Sequence, residues 1–282
     1  MAYQDSNLDK QNQNLSYYHY TIGQFPLFLI WECKNKRGWY ASKIFFKKSK
    51  FFSALLLRLP NLAAEMQRIE WYEQVFWADP QRVLYWEKHR ILLCADLHLG
   101  KTGHFRKEGI AVPQAVYQQD LQRLFAAISF HQPARVIMVG DLFHSRANKE
   151  WDWFGRWRRD FSTLPFTLIL GNHDKLPNGL AAELGLEVTA SETIDNILLQ
   201  HHPATETGNE MIPEGRAVIS GHVHPSVIVP AGARQKVRLP CFYFGKSQCL
   251  LPAFSLFSGT HPIKPKAKDV VFAIAGQSLV QI

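Results

Sequence analysis

Five apolar runs of strand length each end in residues that can bind a metal ion. Ile91-Leu92-Leu93-Cys94-Ala95 runs into Asp96-x-His98, and Val136-Ile137-Met138-Val139 runs into Gly140-Asp141. Thr167-Leu168-Ile169-Leu170 precedes Gly171-Asn172-His173-Asp174. Ile197-Leu198-Leu199-Gln200 precedes His201-His202-Pro203, and Ala217-Val218-Ile219-Ser220 precedes Gly221-His222-Val223-His224. Strand side chains alternate between faces, so Asp96 and His98 point the same way. In open α/β sheets, ligands bind beyond the carboxyl ends of the strands. Any one of these clusters alone is a weak signal, because apolar runs often end in Asp. Five of them can converge on one place. The glycines before Asp141, Asn172 and His222 fit tight turns where backbone passes close to another group.

The segments between the runs support this arrangement. Val83 to Glu87 followed by Ile91 to Ala95 reads as a hairpin. Pro113 suits the first turn of a helix. Tyr117, Leu121, Leu124, Phe125 and Ile128 make a core-facing stripe, and Pro133 ends that helix. A second helix is expected from about Glu150 to Phe161. Trp153, Phe154, Trp157 and Phe161 face the core there, and the arginines of that stretch sit on the wet face. Strand and helix alternate in this half, which argues for parallel strands with crossover helices. After residue 190, strand-like runs punctuated by Pro and Gly predominate: residues 197–200, 217–220, 227–229, 236–244 and 269–273.

Charge divides the chain unevenly. Net charge is +8, yet residues 1–65 hold 9 Lys+Arg against 4 Asp+Glu, and residues 66–282 hold 23 against 20. The body is therefore only mildly basic, and its average charge alone does not imply nucleic-acid binding. Residues 1–24 are rich in Asn, Gln, Ser and Tyr without a usable period. Lys43 to Arg58 mixes Lys with Phe and Leu. We expect residues 1–65 to be a poorly ordered N-terminal extension and 66–282 to form one functional domain. The four cysteines lack CxxC spacing, which fits a reducing cytosol. The longest N-terminal apolar run, Phe25 to Trp31, is too short to span a bilayer. A cytoplasmic protein with no membrane partner is expected.

Two metal ions about 3.5–4 Å apart can clamp a phosphoryl group for in-line displacement, polarising its oxygens and activating a bridging water. Such a pair needs a bridging carboxylate, and Asp141 is the lone carboxylate of its cluster. Asp96, His98, Asp141, Asn172, His201, His222 and His224 offer the right number and kinds of donor. Oxygen and nitrogen donors without thiolate argue against a structural zinc or iron–sulfur site. They suit Mn²⁺, Fe or catalytic Zn²⁺ and do not choose among them. Gly100-Lys101-Thr102 is not a P-loop, because Ala95 stands where that pattern needs glycine.

In order and spacing, the five blocks resemble the calcineurin-like metallophosphoesterase superfamily. Ala95-Asp96-Leu97-His98-Leu99-Gly100-Lys101, Phe105-Arg106, Gly140-Asp141-Leu142-Phe143-His144, residues 239–245 and Leu251-Pro252-Ala253-Phe254 resemble more closely the bacterial ligase-associated DNA damage response endonuclease family. The likeness spans roughly 66–282. It implies an α/β fold, a four-layer αββα sandwich. It implies that Asp96, His98, Asp141 and His224 hold one ion, and Asp141, Asn172, His201 and His222 the other. His201 and His202 compete for one ligand position; the resemblance favours His201, because superfamily members present this ligand as His-x-Pro. It implies that His173, with Asp174 beside it, protonates the leaving oxygen. The activity implied is metal-dependent phosphodiester hydrolysis by a DNA endonuclease in repair. The partners implied are DNA, an ATP-dependent DNA ligase and a DEAD/DEAH-type helicase. A small-molecule or cyclic-nucleotide phosphodiesterase, or a non-catalytic scaffold with a vestigial site, are the alternatives. Arg106 and His144 follow the first two ligand clusters closely and are candidates to grip substrate phosphates.

Overall fold

The computed structural model describes residues 66–100, 115–144, 149–204, 212, 214–230 and 236–282, together with four short strands near the N-terminus. Those four strands are β1 (Tyr18–Ile22) and β2 (Phe25–Leu29), then β3 (Lys34–Asn35) and β4 (Gly38–Trp39), each pair antiparallel. Chain contacts divide the protein into units Met1–Leu59 and Pro60–Ile282. The stretch from Lys43 to Arg58 lies outside the described residues.

In the larger unit, a seven-stranded sheet comes first. Its strands are β5 (Gln67–Trp71), β6 (Gln74–Asp79), β7 (Val83–Trp86), β8 (Ile91–Cys94), β9 (Arg135–Val139), β10 (Phe166–Ile169) and β11 (Leu186–Thr189). Their spatial order is β11-β10-β9-β8-β7-β6-β5. β8 to β11 are parallel and β5 to β8 antiparallel, so the expected hairpin into the Asp-x-His strand is present. Every residue of β8 and β10 is buried, as strands covered on both faces require.

The helices make the crossovers. α1 (Ala115–His131) joins β8 to β9, α2 (Lys149–Arg159) joins β9 to β10, and α3 (Leu180–Glu183) precedes β11. Leu121, Leu124 and Ile128 of α1 and Phe154 of α2 bury against one face of the sheet, on Leu92, Val136, Met138 and Leu168. Trp153, Trp157 and Phe161 pack partly buried on the same core, so this aromatic run is a helix face turned inward. Arg158 departs from expectation. It is buried, its guanidinium donates to the carbonyls of Phe161, Leu164 and Gly185, and it stacks over the Phe166 ring. Arg156 and Arg159 stay on the wet side.

The second sheet has nine strands: β12 (Ser191–Ile194), β13 (Ile197–Gln200), β14 (Ala217–Ser220), β15 (Pro225–Pro230), β16 (Lys236–Phe244), β17 (Gln248–Leu250), β18 (His261–Pro262), β19 (Val270–Ala275) and β20 (Ser278–Gln281). β13, β14 and β17 are parallel. Its inner face, with Ile197, Leu199, Ile219, Phe242, Phe244 and Phe272, packs on Phe76, Trp86, Leu93, Ile137 and Val139 of the first sheet. Two sheets thus lie face to face with helices outside the first. Among the described residues, the outer face of the second sheet carries a small cluster of Val227, Cys241, Val271 and Ala273 rather than a helix. The α/β class holds; of the four layers expected, the described residues show the two sheets and the helices outside the first. Among the described residues, no helix is long and apolar enough to cross a membrane.

Phe242 is fully buried where the two sheets meet. Phe242→Ala is expected to cost about 3–5 kcal/mol in urea unfolding, as the loss of a core aromatic does.

Candidate metal centre

β8, β9 and β10 of the first sheet and β13 and β14 of the second all end at one edge of the molecule, and each ends in one of the five clusters. Backbone hydrogen bonds lace the loops beyond. Asp96 N donates to Gly140 O at 3.1 Å, His98 N to Asp141 O at 2.8 Å and Leu99 N to Leu142 O at 2.8 Å. The sheets are joined across this edge. Phe254 N donates to Ala95 O at 2.7 Å, and His222 N donates to the Asp96 carboxylate at 3.0 Å.

Five of the seven candidate ligands occupy the left-handed backbone region, where side chains other than glycine are rare. The φ values are 57° for Asp96, 47° for His98, 50° for Asp141, 66° for His222 and 51° for His224. Such conformations persist only where the surroundings over-determine them, and they gather at working sites.

The donor atoms meet. Those of Asp96, His98 and His224 lie within 4.8 Å of one another, and so do those of Asp96, Asp141 and His201. His98 Nε2 is 3.2 Å from His224 Nε2, and His224 Nε2 is 3.4 Å from Asp96 Oδ1. His201 Nε2 is 3.5 Å from Asp141 Oδ2, 3.1 Å from Asn172 Oδ1 and 3.1 Å from His222 Nδ1. All seven residues therefore join one connected cluster. Between His201 and His202, the geometry puts His201 inside it, at 2% exposure, with Asn172 and Asp141. His202 stands behind, its ring 4.3 Å from that of His222, and its donor atom completes a triad with His201 and His222.

Three observations fit this cluster to cations. Asp96 is 0% and Asp141 3% exposed, and two neighbouring buried carboxylates need positive charge to offset their lost hydration. Burial disfavours the charged form of His201, yet its pKa is raised, because the Asp141 hydrogen bond and the charges of Asp96 and Asp141 outweigh burial. Burial likewise pushes Asp141 up, but hydrogen bonds from His201 and from His173 N, with nearby imidazole charge, bring it to about 2. The site is thus strongly attractive to positive charge. Finally, His201 Nδ1 faces Val139 O at 3.2 Å and His224 Nδ1 faces Gly259 O at 2.9 Å. A carbonyl accepts only from N–H, so Nδ1 of each ring is the protonated nitrogen turned to the carbonyl, and Nε2 is the nitrogen aimed at the cluster, with a lone pair to offer whenever the ring is neutral.

The three glycines have the close neighbours their positions suggested. A Cβ on Gly140 would overlap the His201 imidazole, and one on Gly171 would overlap the Asp141 carboxylate. On Gly221 it would lie 2.6 Å from Asp96 Oδ2 and 2.8 Å from Ala95 Cβ.

His173 sits at the mouth, its side chain 42% exposed and its Nε2 3.9 Å from Asp141 Oδ2. It stacks on His144, with ring centroids 5.0 Å apart, so the structure brings these two sequence candidates together. Asp174 is placed differently from the sequence expectation. Its Oδ1 accepts from Phe143 N and its Oδ2 from Gly171 N, both at 3.0 Å. Burial, then the Asp141 charge, pushes it up to about 6 against the pull of those donors. Asp174 therefore ties the Asp141 loop to the Asn172 loop instead of touching the His173 ring. Arg106 lies outside the described residues.

Sequence reading missed the support behind Asp96. Arg82 donates to the carbonyls of Ala253 and Ser255 at 2.9 and 2.8 Å, and Arg123 to Phe254 O at 3.0 Å and Asp120 Oδ1 at 2.9 Å. These two arginines hold the segment that pairs with Ala95 and Asp96. No local pattern marks this role, because the carbonyls they hold lie 131 to 173 residues away.

Oxygen and nitrogen donors converging at the strand ends of a two-sheet α/β fold suit metal-assisted hydrolysis of phosphoesters. Consistent with that, residues 89–190 match the family model described as calcineurin-like phosphoesterase, and the chain carries that domain. Among solved structures, the chain is similar to the nuclease MPE of Pseudomonas putida, at 29% identity and TM-score 0.64, over 76% of this chain and 100% of that one. It is also similar to Yfce, a phosphoesterase from E. coli, at 13% identity and TM-score 0.38, over 68% of this chain and 97% of that one; at that score the likeness carries no argument. No curated protein sequence matches the chain.

Gly171→Ala is expected to displace the Asp141 carboxylate and leave the fold intact. Bound metal, measured by mass spectrometry after loading and desalting, should fall at least tenfold with the circular dichroism spectrum unchanged. Asp174→Ala leaves two backbone donors without their carboxylate and should lower stability in urea by about 1–3 kcal/mol.

Proposed function

We propose that this protein is a divalent-metal-dependent phosphodiesterase that cleaves DNA internally, an endonuclease of DNA repair in the cytoplasm. The observation that carries the reading is the likeness to the P. putida nuclease MPE along that protein's whole length, with the seven candidate ligands in one cluster. We assign the activity to residues 66–282. The buried thiols Cys94, Cys241 and Cys249, none in a disulfide, support a reducing compartment. The proposed partners beyond DNA are an ATP-dependent DNA ligase and a DEAD/DEAH-type helicase, on sequence resemblance.

In this reading Asp96, His98, Asp141 and His224 hold one ion and Asp141, Asn172, His201 and His222 the second, with Mn²⁺ the metal proposed. The chemistry such ions supply is Lewis acidity toward a phosphoryl oxygen and toward water. The chain's own residues do the rest. Val139 O and Gly259 O fix the tautomers of His201 and His224. Asp174 keeps two ligand loops in register. In the same reading His173, exposed and 3.9 Å from Asp141, gives a proton to the departing alkoxide oxygen, and His144 stacked on it holds the ring's orientation.

The test is purified protein with Mn²⁺ on bis-p-nitrophenyl phosphate, then on supercoiled plasmid and on cyclic nucleotides, beside Asp141→Asn. Diester turnover lost in Asp141→Asn, with nicked plasmid from the wild type, is expected. Cleavage of cyclic nucleotides alone would end the DNA reading. His173→Ala should lower turnover about 10²–10⁴-fold, the usual worth of a general acid, while bound metal stays near wild type. Loss of metal instead would make His173 a structural residue.

A further inference from the structure

The mild average charge of the body hides a sharp segregation. Residues 215–268 carry eight Lys and Arg and no Asp or Glu, whereas residues 66–214 carry 15 against 19. The whole net charge of +8 is matched by this one segment, and it contains His222 and His224.

Topology places part of that charge at the metal-bearing edge. β17 reaches the edge at Leu250, level with Tyr243 of β16, and the chain then passes to Ala253 beside Ala95. β16 continues past that level for seven residues to Lys236, roughly 20 Å of extended chain. Cys241 to Phe244 also pair with β19, whereas residues 236–240 pair with β15 alone among the described residues. The β15–β16 ribbon therefore overhangs the edge, and β15 springs directly from His224.

Strand alternation says which way the charges face. Phe244 and Phe242 lie on the inner face, between the sheets. Arg238 and Lys236 share that parity and continue the same face once the strand has left the core. Leu239 goes to the outer cluster. Arg238 reaches Thr260 O at 3.4 Å, next to Gly259, whose carbonyl holds His224. Arg238 thus reaches the segment that holds His224, and Lys236 lies on the same face of the ribbon. Lys264, exposed, follows Ile263, which is tied to Ser226 O at 2.9 Å.

We propose that this overhanging ribbon is a substrate arm: Lys236, Arg238 and Lys264 hold the phosphate backbone of a DNA strand beside the metal centre. The proposal rests on the DNA reading above. Side chains two apart on a strand lie about 7 Å apart along a line. A nucleic-acid backbone presents its charges along a line as well, and phosphate contacts set both affinity and register.

The experiment measures KM for nicking of supercoiled plasmid by the Mn²⁺-loaded full chain over a series of KCl concentrations, with bis-p-nitrophenyl phosphate turnover alongside. Lys236→Glu with Arg238→Glu should raise KM for plasmid at least tenfold. It should also flatten the log–log salt dependence by about 2, one phosphate contact per lost cation, while small-diester turnover stays within about twofold. Arg216→Glu with Lys246→Glu removes the same charge at the opposite ends of β14 and β17 and should leave KM and slope near wild type. Should Arg238 prove necessary for His224 placement, shown by lost small-diester turnover, Lys236→Glu with Lys264→Glu gives the same test without it. Wild-type KM and slope in these pairs, or an equal loss in the Arg216/Lys246 pair, would overturn the arm. Wild-type protein that turns over the small diester but never nicks plasmid would instead overturn the DNA reading itself.

Discussion

Two carboxylates of like charge, Asp96 and Asp141, are buried side by side at the junction of two sheets. Burying them would be ruinous without compensating charge, and most of the structure around this edge provides or prepares for it. His201 lies 3.5 Å from Asp141 and His224 3.4 Å from Asp96, with His98 Nε2 3.2 Å from His224 Nε2. Each carboxylate also accepts a backbone N–H, Asp96 from His222 and Asp141 from His173. Those amides come from loops that themselves carry donors, so the anions draw their neighbours into place. A divalent ion is the natural centre of such a cage.

The backbone strain at the ligands follows from the same demand. Strands end where the apolar layer ends, and the chain must turn at once for its side chain to reach inward. A left-handed residue turns the chain in the least length, and five ligands adopt it. The cost of order 1–3 kcal/mol per residue is offset by the rigid layers beneath and by the lacing of loop to loop. Behind Asp96, the half-buried Arg82 and Arg123 hold residues 253–255 by their carbonyls, with Arg123 also 4.5 Å over the Phe254 ring. Burial, then the repulsion of Arg123, lowers Arg82 to about 10, so this clamp is itself costly. Its expense makes sense only if the segment it holds matters.

Several readings failed or fell short for one reason: they depended on partners far away in sequence. Arg158 looks like one more solvated arginine on a basic helix face, and only the fold shows Phe166 beneath it and three carbonyls around it. Asp174 adjoins His173 in sequence and suggests a catalytic pair. In space it faces the amide of Phe143, on the neighbouring loop. The core stripes of α1 and α2 were legible, because helical period is a local property that burial then respects. Net charge averaged over the body hides that 54 of its residues carry eight cations and no carboxylate, while residues 66–214 are net acidic.

Residue order alone determined the strand runs, the kinds of donor at their ends and the need for glycine at positions 140, 171 and 221. These follow from side-chain alternation, burial and sterics acting over a few residues. Tertiary structure decided which histidine of the 201–202 pair turns inward, which ring nitrogen faces the cluster, and that Asp174 braces loops. Those outcomes are set by strand order and by the packing of one sheet on the other, and no window of local sequence contains that information.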